Sequence, residues 1–109
     1  MRLDENALRG TLPAALVALT SLTLLYLANN DFTGPIPELA ALTSLTHLGL
    51  NGNSLSGTIP ALAALSSLVR LVLYDNELTG TVPELAGLVS LTKLARRLLN
   101  RRTCAYQIV

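Results

Sequence analysis

Leu45-Thr46-His47-Leu48-Gly49-Leu50-Asn51-Gly52-Asn53-Ser54-Leu55 decides how the chain folds. Leu48 and Leu50 are two residues apart, the spacing that puts both side chains on one face of a strand. They point inward, and the residues between and beside them face the other way. Asn53 follows where the strand must turn, and its amide offers both donor and acceptor to buried backbone groups of its own and the next coil. Leu55, Gly57 and Ile59-Pro60 come next. Gly permits a bend, while Pro fixes φ and lacks an N–H, so this side of the coil is expected to form neither a continuous ladder nor a long helix.

The same pattern recurs every 23 residues without gaps, from Leu22, Leu45 and Leu68. Residues 1–21 are the same unit, opening at its fourth position and carrying one extra residue after Pro13. Units 1–21, 22–44, 45–67 and 68–90, with a fifth starting at 91, predict a solenoid over 1–94. Asn6, Asn30, Asn53 and Asn76 form a structural ladder, and Leu39 and Leu42, Leu62 and Leu65, and Leu85 and Leu88 fill each layer from the outer side. No single unit could bury this surface alone.

The motif Leu-x-Leu-x-x-Asn followed by Thr33-Gly-Pro-Ile-Pro37, Ser56-Gly-Thr-Ile-Pro60 and Thr79-Gly-Thr-Val-Pro83 resembles the plant-specific class of leucine-rich repeats. That class includes receptor-like kinase ectodomains, receptor-like proteins and polygalacturonase inhibitors. The resemblance implies a right-handed α/β-type coil with short parallel strands on its concave face, a protein- or peptide-binding role in recognition or signalling, and an extracellular or cell-surface setting. The sequence shows no signal peptide, paired cysteines or glycosylation sequon, and its first unit is truncated. It is therefore expected to be a piece of a longer solenoid whose neighbouring repeats are among its partners. The hydroxyl residues flanking Gly34, Gly57 and Gly80 would stack as a rank along one side, as in ice-binding solenoids. Arg9 and Pro35 interrupt that rank, and the resemblance alone accounts for it.

Half of the residues are hydrophobic and 14% are charged, a balance that supports a packed core. Catalysis needs a base, a nucleophile and an orienting group together, whereas the single His, His47, sits in an outward strand slot. His47 and Cys104 lie in different coils and make no metal-ligand set, and every Gly is explained by the repeat. The expectation is a non-catalytic module without metal or cofactor.

Aligned strands turn outward slots into columns. The first holds Leu24, His47, Arg70 and Lys93, and the next holds Arg2, Tyr26, Gly49, Val72 and Ala95. Past the strand come Asp4, Ala28, Asn51 and Tyr74, then Glu5, Asn29, Gly52 and Asp75. The candidate ligand-binding residues on this face are Tyr26, His47, Arg70, Tyr74, Lys93, Asn29, Asn51 and Asp75. A repeat fragment with no ligand of its own is the alternative, and a third reading rests on the tail.

Residues 1–90 hold three basic and seven acidic residues, a balance of −4, while 91–109 hold five basic residues and no acid. At helical spacing, Leu91, Leu94, Leu98 and Leu99 gather opposite Lys93, Arg96, Arg97 and Arg101. Residues 95–109 are thus expected to form a basic amphipathic helix that covers the last layer of leucines. The alternative is weak attraction to an anionic membrane surface; nucleic acid is not expected, because stacking aromatics are lacking. Removing residues 95–109 should expose that layer and promote self-association, read by light scattering. A shortened chain that stays monomeric and equally stable would remove the capping role.

Overall fold

The computed structural model of the protein describes residues 1–80 together with the strand Lys93–Leu94. Val82-Pro83, Leu85, Leu88, the remainder of the fifth unit and the basic tail with its expected helix lie outside the described residues, as does the Lys93 side chain.

The strands are β1 (Arg9–Thr11), β2 (Leu24–Tyr26), β3 (Asp31–Pro35), β4 (His47–Gly49), β5 (Ser54–Thr58), β6 (Arg70–Val72), β7 (Glu77–Thr79) and β8 (Lys93–Leu94). A 3-10 helix spans Ala14–Ala18. Strands β2-β4-β6-β8 form one parallel four-stranded sheet, in which Leu24, His47, Arg70 and Lys93 are successive partners. Arg2 joins its edge by pairing with Tyr26. The inward leucines Leu25, Leu27, Leu48, Leu50, Leu71 and Leu73 are all buried. Opposite them stand Leu39, Leu42 and Leu45, and Leu62, Leu65 and Leu68, also buried. There the backbone advances by tight turns, with Leu42 N–H donating to Leu39 C=O and Leu65 N–H to Leu62 C=O. Burial of one Leu is worth about 1.5 to 3 kcal/mol, so these layers supply most of the drive to stack.

A second parallel sheet, β1-β3-β5-β7, runs along the side expected to lack a ladder. Its strands precede the Ile-Pro step, so Pro37 and Pro60 leave its hydrogen bonds intact. Thr33 pairs with Ser54, Ser56 with Glu77 and Thr58 with Thr79, so the register advances by 21 residues per coil against a repeat of 23. The sheet is sheared by two residues at each step. Consequently the equivalent hydroxyl residues Thr33, Ser56 and Thr79 are never partners, and the pairs that form, Thr11 with Thr33 and Thr58 with Thr79, join different repeat positions.

The asparagine ladder links each coil to the preceding one, not the next. Asn76 Nδ2 donates to Leu73 C=O and Tyr74 C=O within its coil and to Leu50 C=O of the coil before, while its Oδ1 accepts the Leu55 N–H at 3.0 Å. Asn53 repeats this with Leu27 C=O and Phe32 N–H, and Asn30 with Leu3 C=O and Leu8 N–H. Asn6 differs because it stands in the first described coil. It is exposed and donates only to Leu3 and Asp4 of its own coil.

Asn76→Ala removes an amide with 2% exposure that serves carbonyls and an amide of two coils. Leaving buried polar groups unpaired costs about 1 to 3 kcal/mol each, so the variant should lower the thermal midpoint by several degrees. Asn6→Ala, at the exposed equivalent, should leave the midpoint nearly unchanged. Equal effects in the two variants would contradict the ladder.

Candidate ligand-binding face

The sheet β2-β4-β6 turns its leucines inward, and its other face carries four of the expected residues together. Tyr26, His47 and Tyr74 are half-buried and Arg70 is exposed. The Tyr26 and His47 rings lie 6.2 Å apart at a tilt of 54°, and the Arg2 guanidinium stacks 4.8 Å from the Tyr26 ring centroid. A cation over an aromatic face is attracted by the ring quadrupole, so Arg2 and Tyr26 hold one another at the edge of the sheet. His47 Nδ1 lies 2.9 Å from Thr46 Oγ1, whose hydroxyl donates to Thr23 C=O of the preceding coil.

Tyr26, Arg70 and Tyr74 border a shallow groove of about 240 Å³, lined also by Arg2, Asp4 and Asn51 around a floor that includes Gly49 and Val72; His47 is not among its lining residues. The floor departs from the expectation that every slot between leucines faces open solvent. Gly49 and Val72 are both buried, and the Tyr26 ring of the preceding coil lies over Gly49. A Cβ at Gly49 would come within 2.8 Å of Tyr26 Cδ1, so only glycine lets the ring lie there without displacement.

Asn29 and Asp75 lie past the strand and away from that groove. With Glu5 and Gly52 they share one turn position, where the backbone is left-handed, with φ of 55° at Asn29, 53° at Asp75, 56° at Glu5 and 69° at Gly52. Asn and Asp adopt this conformation more readily than other non-glycine residues, so the turn by itself accounts for both. Asp4 also has a structural role, since its Oδ1 accepts the Ala28 N–H at 2.7 Å. Arg2 was absent from the expected site residues and joins the groove. Its alignment with Tyr26 in one column was the signal that could have found it.

A larger recess of about 550 Å³ lies at the N-terminal end, among Met1, Leu3, Leu12, Leu16, Leu19 and Phe32. It is the uncovered first layer of the stack, where Leu3 and Leu19 are 40% and 46% exposed. Among the described residues no group of His, Cys, Asp and Glu could hold a metal ion, and no helix is long and apolar enough to cross a membrane.

The family model for leucine-rich repeats (two copies) matches residues 3–64, more than half of the chain. The chain belongs to the leucine-rich-repeat proteins. Among solved structures it is similar to the plant peptide hormone receptor RGFR1 in complex with RGF2, at 38% identity and a TM-score of 0.81 over 84% of this chain. It is similar also to the Arabidopsis receptor kinase HAESA in complex with the peptide hormone IDA and the co-receptor SERK1, at 33% identity and 0.83 over 86%. A third is the BIR2 ectodomain from Arabidopsis thaliana, at 39% identity and 0.78 over 83%. The chain is thus a leucine-rich-repeat segment of the plant type. It spans 15%, 16% and 49% of those three chains, respectively. No curated protein sequence matches it significantly.

Proposed function

We propose that this chain is a non-catalytic binding module whose outward sheet face takes a peptide or protein ligand as part of a receptor-like or inhibitor protein. The observation that carries the reading is the division of labour within each strand. Leu25, Leu48 and Leu71 are spent on the core, while Tyr26, Arg70 and Tyr74 line one groove, with His47 against Tyr26, and none of the four belongs to the buried core. Aromatic residues and Arg are the side chains that dominate binding energy at protein interfaces. Similarity to RGFR1 and HAESA, both solved with peptide hormones, supports the same class of ligand.

The face is small. At about 4.8 Å per strand, four coils give a width of about 15 to 20 Å, short of the roughly 800 Å² per partner of a standard interface. Affinity from this piece alone should accordingly be modest, with neighbouring repeats or a second chain adding area. Lys93, Asn29, Asn51 and Asp75 belong to the proposed contact set, with Asn51 the member that lines the groove.

Replacing Tyr26, His47, Arg70 and Tyr74 together by Ala tests the reading. Circular dichroism should keep its folded signature, since none of the four belongs to the buried leucine core. Binding of the native ligand should fall by about thirtyfold or more, the loss of about 2 kcal/mol typical of interface anchors. Full affinity in a folded fourfold variant would place the site elsewhere.

A further inference from the structure

We infer that the ligand of this groove is an extended peptide bearing two acidic side chains four residues apart, one for Arg2 and one for Arg70. The inference rests on the peptide-binding reading above and narrows it to a charge pattern. Both arginines line the same groove, yet they come from its opposite ends, Arg2 from the first coil and Arg70 from the fourth. Among the described residues, no carboxylate pairs with either guanidinium. Arg2 is fixed over Tyr26, and Arg70 stands exposed beside the half-buried His47, its partner in the sheet. The one carboxylate among the lining residues, Asp4, accepts the Ala28 N–H through Oδ1 and forms no ion pair with either arginine among the described residues.

Sheet geometry sets the spacing. Three inter-strand steps of about 4.8 Å separate the two arginines across the sheet, and two residues of about 3.3 Å along the strand offset them, giving about 16 Å on the diagonal. An extended peptide advances about 3.3 Å per residue and repeats its facing side every second residue. Side chains at i and i+4 thus share a face about 13 Å apart, and the length of the glutamate side chains and of the exposed Arg70 closes the difference. Between them the peptide would cross the Tyr26 ring that lies over Gly49, with Asn51 and Tyr74 also lining its path. A helical ligand would hold the same acids only about 6 Å apart and could not reach both arginines.

The test uses the full chain and a capped, fluorescein-labelled heptapeptide with glutamates at its second and sixth positions in a glycine-alanine background, read by fluorescence anisotropy at low salt. Controls are the same peptide with both glutamates changed to glutamine, and an isomer with the glutamates adjacent. The spaced glutamate peptide should bind, both controls should bind several-fold more weakly, and Arg2→Gln and Arg70→Gln should each cost about three- to tenfold, with the difference shrinking as salt rises. Both arginines are exposed, so melting temperatures should not move. Glutamine and glutamate peptides binding equally, with Tyr26→Ala still weakening both, would overturn the charge pattern and leave the peptide-binding reading standing. Binding indifferent to Tyr26→Ala and to both arginine variants would overturn the two together, and no binding of the spaced peptide would overturn the charge pattern.

Discussion

Beside the backbone ladders of the two sheets, one buried or half-buried asparagine ties each coil to the one before it. Burial of leucine drives stacking but is non-directional, so a leucine layer alone would tolerate slippage between coils. The asparagine amide does not, because one side chain donates to carbonyls of two coils and accepts an N–H of the preceding one. At about 1 to 3 kcal/mol for each buried group left unpaired, a displaced coil would forfeit a large share of the few kcal/mol that separate a small domain from its unfolded state. The register of β2, β4 and β6, and with it the alignment of every outward residue, follows from that constraint.

Much of this was legible in the sequence because the informative residues are monotonous. Leu at two-residue spacing, Asn at a fixed offset and a gapless repeat lead to the inward face and to the column that pairs Leu24, His47 and Arg70. The second sheet was not legible. Its strands are short, polar and interrupted by Gly34, Gly57 and Pro35, a composition that resembles a turn and lacks apolar alternation. Its two-residue shear per coil is a property of the twisting stack that no single unit encodes. The direction of the asparagine ladder was hidden for the same reason, since one amide pattern serves either neighbour until the coils are placed.

The candidate face divides along similar lines. Outward orientation of Tyr26, His47 and Arg70 followed from alternation, whereas the burial of Gly49 depends on where the Tyr26 ring falls, a tertiary outcome. Asn29 and Asp75 are indistinguishable in sequence from the other polar slots, but their left-handed backbone ties them to the turn. What emerges is a scaffold whose core and binding face draw on alternate residues of the same strands, so that the face can change while the stack persists. Plant receptor ectodomains of the kind it resembles place many such coils in series, and this chain spans a small fraction of the longest of them.

Amide hydrogen exchange on the folded chain, followed by NMR, probes the coil-to-coil ladder most directly. The ladder requires slow exchange for the Leu8, Phe32 and Leu55 amides, which donate to Asn30, Asn53 and Asn76, with protection rising from the exposed Leu8 to the buried Leu55. Exchange of the Leu55 amide as fast as that of an exposed, unbonded amide would contradict it.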